Sequence, residues 1–390
     1  MIRDAQEALK GVARRTPLEA APKLGPNIYI KSENLQFTGA FKLRGAYNKI
    51  RSLTKEEAAK GVIASSAGNH AQGIAYSATR LGIKSIICMP EHAPISKVEA
   101  TKGYGAQVVL VPGVFDDAAR EAARLSQEEG YTFAHPFNDP YVMAGQGTIG
   151  LEILEQLPDV DQVVVPIGGG GLISGIAVAV KSLRPSCKVI GVQAAAVPSM
   201  YESRKAGKVT TVKDGGTIAD GIHVLTPGTE TFEICQKYVD EVVTVSEDEI
   251  ASAILALLET QKTIAEGAGA TSVAACMFGK VDTTFLKTVC VVSGGNIDVT
   301  TLSRIINKGL AKSGRTIEFR IKVSDTPGSM VALLQIIAAR GANILDIKHS
   351  RSSKHADVNT CVITMVLETR NQEHIDQLTQ ELEENGYVFV

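Results

Sequence analysis

From residue 61 to residue 292 short β-branched runs alternate with longer helical ones, and this alternation constrains the fold more than any other feature of the chain. The predicted strands are residues 62–65, 85–89, 107–111, 162–167, 189–193, 242–245 and 288–292. Helical patterns at 71–81, 115–129, 172–183, 247–261 and 298–308 fill the intervals. Strand, helix and strand repeated in this way build βαβ units, so the class is α/β with a mainly parallel sheet covered on both faces. Such sheets bind ligands at the carboxyl ends of their strands. The loops that follow strands are therefore where chemistry is sought.

The pattern changes near Lys308. Residues 308–315 read as a short polar linker with broken periodicity. Beyond it come strand 316–323, helix 328–340, strands 343–350 and 358–368, helix 372–385 and strand 387–390. The order β-α-β-β-α-β is the ferredoxin-like arrangement. A chain of 390 residues accommodates two or three such compact units.

Composition narrows the function classes. Lys plus Arg is 40 against 42 Asp plus Glu, a net charge of −2. That balance gives no basic field for nucleic acid and no patch for an anionic membrane. Hydrophobic residues at 44% and charged ones at 21% allow a large buried core, which excludes general disorder. Residues 163–180 are uncharged and long enough to span a bilayer, but Pro166, the glycines at 168–171 and Gly175 would break a spanning helix. Residues 1–15 carry Asp4 and Glu7 and no apolar segment, so they do not read as a signal peptide. None of the six cysteines forms a C-x-x-C, and no His stands at zinc-ligand spacing from one. Reduced thiols, a cytoplasmic location and no metal site are expected.

Four loops hold chemistry-bearing residues. In Gly39-Ala40-Phe41-Lys42-Leu43-Arg44-Gly45-Ala46, Lys42 has apolar neighbours that would lower its pKa; taken alone, it reads more readily as a surface lysine opening a helix. Ser65-Ser66-Ala67-Gly68-Asn69-His70 joins a strand to a helix and presents backbone N–H groups suited to a carboxylate or phosphate. An ordinary helix cap with His70 packed inside is the plainer alternative. Gly168-Gly169-Gly170-Gly171-Leu172 follows the strand at 162–167, and its glycines let the main chain wrap a phosphate ahead of a helix. Neither a Walker lysine nor a G-x-G-x-x-G with its ribose-binding acid accompanies it. Ser293-Gly294-Gly295-Asn296 ends the last strand, where a hydroxyl can meet a ring nitrogen or cap the next helix.

Together with Ser32-Glu33-Asn34-Leu35-Gln36-Phe37-Thr38, His135-Pro136-Phe137-Asn138-Asp139 and Ala144-Gly145-Gln146-Gly147-Thr148, these loops resemble the pyridoxal-phosphate lyases of the tryptophan-synthase-β type, and among them the threonine dehydratases. Asp325-Thr326-Pro327-Gly328 and Gly341-Ala342-Asn343-Ile344 resemble the amino-acid-sensing ACT domain. The resemblance implies a two-lobed catalytic domain of PLP fold type II over residues 1–307, a linker over 308–315 and an ACT domain over 316–390. It implies Lys42 as the Schiff-base lysine and base, with Phe41, Asn69, Gly168, Gly169, Gly170, Gly171, Leu172 and Ser293 around pyridoxal 5'-phosphate. Asn69 would face the ring oxygen and Ser293 the ring nitrogen. Ser65, Ser66, Ala67, Gly68, Asn69 and His70 would hold the substrate carboxylate.

The implied reaction is β-elimination from L-threonine, and from L-serine. The related serine racemases carry Ser just before the Gly-Asn of the second loop, whereas this chain has Ala67, which takes no proton. Their divalent-cation carboxylates correspond to Gln193 and Ser199 here. A serine racemase or other β-replacing enzyme of the same fold is the alternative, and a non-catalytic amino-acid sensor is the alternative from another class. Gly328, Asn343 and Ile344 are expected to lie side by side and bind an effector, with isoleucine or valine the first candidates. Pairing of ACT units implies a homo-oligomer, dimer or tetramer.

Overall fold

The computed structural model describes all residues from Met1 to Val390, and the chain divides into two compact units, Met1–Asp298 and Val299–Val390. In chain order the first unit contains β1 (Leu18–Ala20), β2 (Ile28–Ser32), β3 (Val62–Ser65), β4 (Ser85–Pro90), β5 (Gln107–Val111), β6 (Thr132–Phe133), β7 (Gln162–Pro166), β8 (Lys188–Ala194), β9 (Glu241–Val245) and β10 (Thr288–Val292). They form two sheets. The larger has the order β1-β2-β10-β7-β8-β9, the smaller β5-β4-β3-β6. Every pairing is parallel except β1 with β2.

The seven predicted strands coincide with β3, β4, β5, β7, β8, β9 and β10 to within a residue at either end. Their β-branched residues serve a sheet buried on both faces. In the smaller lobe Val62 and Ala64 pack with Ile74, Ala75 and Met89, while the intervening Ile63 turns to Ala118 and Ala122 on the other face. In the larger lobe Val163, Val165, Val189, Val289 and Val291 meet Ile173, Ile176 and Val180 of the helix Gly171–Leu183. The predicted helix at 247–261 is α-helical only over Glu247–Ala256 and closes with a π-helical turn, Leu257–Gln261.

The second unit has β11 (Thr316–Ser324), β12 (Asn343–Ser350), β13 (Thr360–Glu368) and β14 (Val388–Phe389) in the antiparallel order β12-β13-β11-β14. Leu333 and Ile337 of helix Ser329–Ala339, with Leu378 and Leu382 of helix Gln372–Glu384, cover Phe319, Ile321, Ile363 and Met365. This is the expected β-α-β-β-α-β unit.

Two expectations are corrected here. Residues 308–312 are not a linker but the end of the helix Val299–Lys312, so only residues 313–315 connect it to β11. Leu302, Ile305, Ile306 and Leu310 keep helical spacing through Gly309, and one glycine costs about 1 kcal/mol, too little to end a helix. The proposed effector residues also part company. Asn343 pairs with Glu368, which pairs with Thr316, whereas Gly328 follows the opposite end of β11 near Ser324. The helix Ser329–Ala339 runs back along the sheet, so Gly328 and the Asn343–Ile344 pair lie at opposite ends of the unit.

All six cysteines are reduced and buried. No helix is long and apolar enough to cross a membrane.

Candidate active site

The loops singled out in the sequence converge at the carboxyl ends of β3, β7 and β10. Lys42 opens the helix Lys42–Ile50 and is half-buried in the cleft between the lobes. Its Nζ donates to the Pro136 carbonyl at 2.8 Å and lies 5.3 Å from the Phe41 ring centre. Burial lowers its pKa to about 8, although the Glu266 carboxylate pulls the other way. A lysine in this setting is partly neutral near physiological pH and can act as nucleophile or base.

Close helix packing fixes its position. A Cβ on Gly73 would lie 3.1 Å from the Lys42 carbonyl carbon, and one on Gly145 would lie 2.4 Å from the Arg44 carbonyl oxygen. The helices Asn69–Leu81 and Pro140–Gln156 therefore approach the first turn of Lys42–Ile50 backbone to backbone. Two residues after Lys42, the buried Arg44 guanidinium bonds Glu33 at 2.8 and 2.9 Å and Glu152 at 2.6 and 3.0 Å. Lys31, fully buried on β2, completes the network through Glu152 at 2.6 Å. Each charge is paired, and breaking such a set costs about 3–5 kcal/mol.

The helix Asn69–Leu81 starts at Asn69, two residues earlier than expected, so the loop of Ser65, Ser66, Ala67 and Gly68 feeds its free N–H groups. Ser66 Oγ accepts from the Gly68 N–H at 3.2 Å. The Ser65 hydroxyl is buried without a hydrogen-bond partner. His70 is buried, and its Nε2 meets the Ala134 carbonyl at 2.8 Å. Burial, together with the nearby Lys42 charge, drops its pKa to about 3, so it is neutral. His135 is also neutral, pushed down to about 4 by burial and then by Lys42. Its Nδ1 accepts from the Asn138 N–H at 2.9 Å, which leaves the proton on Nε2.

Asn69 is more committed than the sequence suggested. Its Nδ2 donates to Glu266 Oε1 at 2.7 Å, and its Oδ1 accepts from Asn296 Nδ2 at 2.8 Å. One amide hydrogen remains for a ligand. Sequence reasoning missed Glu266, whose signal was a lone acid in Ala265-Glu266-Gly267-Ala268-Gly269-Ala270. Glu266 is buried, and burial, then Asp220, raises it to about 7. Its backbone N–H donates to the Gly294 carbonyl at 3.0 Å.

Ser293 directly follows β10 and is buried, and its carbonyl accepts the Phe41 N–H at 3.0 Å. Gly168, Gly169, Gly170, Gly171 and Leu172 link β7 to the helix Gly171–Leu183. A Cβ on Gly169 would lie 2.4 Å from the Phe137 ring, one on Gly171 2.9 Å from Phe137 Cα, and one on Gly170 2.8 Å from Thr231. Gly170 also holds φ at +99°. Neighbouring chain thus presses on the outside of this turn, and the first-turn N–H groups of the helix lack intrahelical acceptors. Phe137 and Thr231 shape the cradle; the sequence quoted the first without a role and overlooked the second.

The residues fit pyridoxal phosphate. A glycine cradle at a helix N-terminus suits its phosphate, a desolvated lysine its aldehyde, a strand-end hydroxyl its ring nitrogen and a free amide hydrogen its ring oxygen. At the two positions expected to correspond to the racemase carboxylates, Gln193 Oε1 accepts from the Tyr201 N–H at 2.9 Å and Ser199 Oγ donates to the Val224 carbonyl at 2.6 Å.

Known proteins resemble the chain across both of its units. The pyridoxal-phosphate dependent enzyme family matches residues 9–294, and the ACT domain matches residues 317–386. A Thermotoga maritima protein named L-threonine ammonia-lyase is 52% identical over 390 residues, covering 99% of this chain and 97% of its own. One of the same name from Geobacter sulfurreducens is 49% identical over 392 residues, covering 100% and 98%. Among solved structures, threonine deaminase isoform 2 from Solanum lycopersicum matches with a TM-score of 0.75 at 40% identity, covering 78% of this chain and 92% of that one. Maize serine racemase matches at 0.74 and 35% identity, covering 80% and 97%.

Proposed function

The chain belongs to the family of pyridoxal-phosphate dependent enzymes and carries a C-terminal ACT domain, and on this footing we propose that it is an L-threonine ammonia-lyase. It converts L-threonine to 2-oxobutanoate and ammonia, and L-serine to pyruvate and ammonia. The observation that carries this reading is Lys42, whose Nζ donates to the Pro136 carbonyl at 2.8 Å beside the Phe41 ring and whose burial lowers its pKa to about 8. Relatives named for this reaction match the chain end to end.

Pyridoxal phosphate, when bound, supplies the electron sink that makes the substrate Cα proton acidic. Lys42 takes that proton, for which its lowered pKa provides a neutral amine. The backbone N–H groups of Ala67 and Asn69 orient the substrate carboxylate, with the unpartnered Ser65 hydroxyl beside them, while those of Ser66 and Gly68 are held by the Cys88 carbonyl and Ser66 Oγ. Neutral His70 and His135 add no charge that would compete for it. The Gly168–Leu172 turn binds phosphate oxygens through main-chain donors and the helix dipole. Ser293 offers the ring nitrogen a neutral hydroxyl rather than a carboxylate, which limits charge delocalisation and favours prompt loss of the β-hydroxyl over reprotonation. Ala67, with no proton to give on the opposite face, disfavours racemisation.

The same reading extends to control and assembly. A homo-oligomer, dimer or tetramer, and a cytoplasmic location are proposed. A branched amino acid such as isoleucine or valine is the proposed effector of the C-terminal domain. Gly328 at one end of the unit, or Asn343 and Ile344 at the other, would contribute to its site. The deciding experiment measures keto-acid release and D-serine formation from the purified protein supplied with L-threonine and L-serine. Rapid 2-oxobutanoate release with little D-serine supports the lyase. D-serine as the main product, without keto acid, overturns it.

A further inference from the structure

Far from the cleft in sequence, three side chains of the C-terminal unit converge. Asp325 directly follows β11, His349 stands one residue from the end of β12, and Cys361 is the second residue of β13. A carboxylate oxygen, an imidazole nitrogen and the sulfur all lie within 4.8 Å of one another. Antiparallel pairing creates this cluster. Cys361 stands opposite Val323, and His349 opposite Ile363. Residues directly opposite share a face, so both side chains emerge on the side where Val323 and Ile363 meet the helices. Asp325 closes over them where its N–H bonds the Asn359 carbonyl at 3.0 Å.

We propose that Asp325, His349 and Cys361 form a binding site for a divalent cation of the zinc type. Sulfur, imidazole nitrogen and carboxylate oxygen together are the donors that zinc and its borderline neighbours take. Calcium and magnesium prefer oxygen alone. Tetrahedral ligation at ordinary zinc bond lengths sets donors roughly 3.4–3.6 Å apart, so the side chains must close by about 1 Å. The Asp325 and His349 side chains, each 27% exposed, provide the approach from solvent, and Cys361 lies beneath them at 2%. On binding, the thiol releases its proton to water as the metal–sulfur bond forms. Thiolate and carboxylate then balance the two positive charges of the ion, and the fourth position takes a water molecule.

Arg351 is compatible with this site. Its Nε bonds Asp325 Oδ2 at 2.6 Å and its Nη2 bonds Oδ1 at 3.0 Å. Oδ1 is also the oxygen 3.9 Å from His349 Nε2. Oδ1 can turn to the ion while Arg351 keeps Oδ2, as outer hydrogen bonds commonly orient a ligating carboxylate. A surface ion pair accounts for Asp325 and Arg351, but not for an imidazole and a buried thiol aimed at the same point. The ion would fasten the ends of three neighbouring strands beside Gly328.

The test is titration of metal-free, full-length holoenzyme with Co²⁺, read as difference spectra. One equivalent per chain should produce a thiolate-to-cobalt charge-transfer band and d–d bands at longer wavelength than the cofactor absorbs. Zn²⁺ should abolish both. Cys361→Ser should remove the charge-transfer band, and His349→Ala, at an exposed position that tolerates the change, should weaken binding by about tenfold or more. No stoichiometric cobalt spectrum in the parent protein, or the same spectrum in Cys361→Ser, overturns the proposal.

Discussion

Asn69 donates its side-chain amide to the Glu266 carboxylate at 2.7 Å, joining the first residue of a small-lobe helix to the large lobe across the cleft. Burial, and Asp220 after it, lift Glu266 to about 7. The unfolded chain releases this proton near 4.5, so between those values the folded chain binds more protons than the unfolded one. Stability contributed here is fully present at the acid end and declines as pH rises through 7. In the cofactor-free protein, Glu266→Gln should match the parent near pH 4.5 and exceed it at pH 8 by a few kcal/mol at most. Thermal unfolding across that range measures it, and parallel curves for the two proteins would contradict the Glu266 assignment.

Lys42→Ala should reduce keto-acid release from L-threonine by at least about a thousandfold, because both base and cofactor anchor are lost. Its thermal midpoint without cofactor should stay close to the parent's or rise, since a desolvated ammonium is removed. Retained turnover would place the catalytic amine elsewhere.

The lowered pKa of Lys42 predicts a pH profile of its own. In the cofactor-free protein, reductive trapping of an aldehyde at this lysine should rise most steeply around pH 8, well below the 10.5 of an ordinary lysine. Peptide mapping locates the modified residue. A midpoint near 10 would mean that the site is wetter than its packing indicates.

Gly170→Ala should lower both stability and cofactor affinity. The added methyl would lie 2.8 Å from Thr231 at a φ of +99°, and such strain costs about 1–3 kcal/mol. If the turn relaxes to relieve it, its N–H groups leave the cradle. Cofactor titration by fluorescence and a thermal melt read the two effects. A variant equal to the parent in both would show that the turn is not a fitted cradle.

Ala67→Ser supplies a hydroxyl on the loop opposite Lys42. The variant should form D-serine from L-serine faster relative to pyruvate than the parent does, while threonine elimination persists. A chiral assay of both products over time measures the ratio. An unchanged ratio would locate the control of racemisation outside this loop.

Much of this was legible because local pattern and fold agree. The β-branched runs of β3, β4, β7, β8 and β10 become strands buried on both faces, those of β5 and β9 become partly exposed edge strands, and the four-glycine run becomes the turn before a helix. What was hidden depends on distant partners. β2 reads Ile28-Tyr29-Ile30-Lys31-Ser32, and Lys31 can sit in a sheet interior because Glu152 and Gln156 arrive from the helix Pro140–Gln156 and the Thr16 carbonyl completes its partners. Glu266 acquires its role by meeting Asn69 and Gly294 in space. The Gly328 and Asn343 error has the same origin, since local sequence marks a helix and its exit but not which end of the sheet each occupies. His349 and Cys361 likewise become neighbours only through the register of β12 on β13.

The strand order of the large sheet has a consequence for biosynthesis. β10, the last strand of this sheet to be made, stands between β2, made near the start, and β7. Until residue 292 has left the ribosome, β2 and β7 each present an unpaired edge, and the nascent chain carries two ready templates for the wrong partner. The small lobe, with β3 to β6 contiguous in the chain, can close far earlier. Synthesis therefore passes through a long interval in which the small lobe can be closed while β2 and β7 still await the strand that joins them, and truncation before β10 leaves both edges open to non-native pairing.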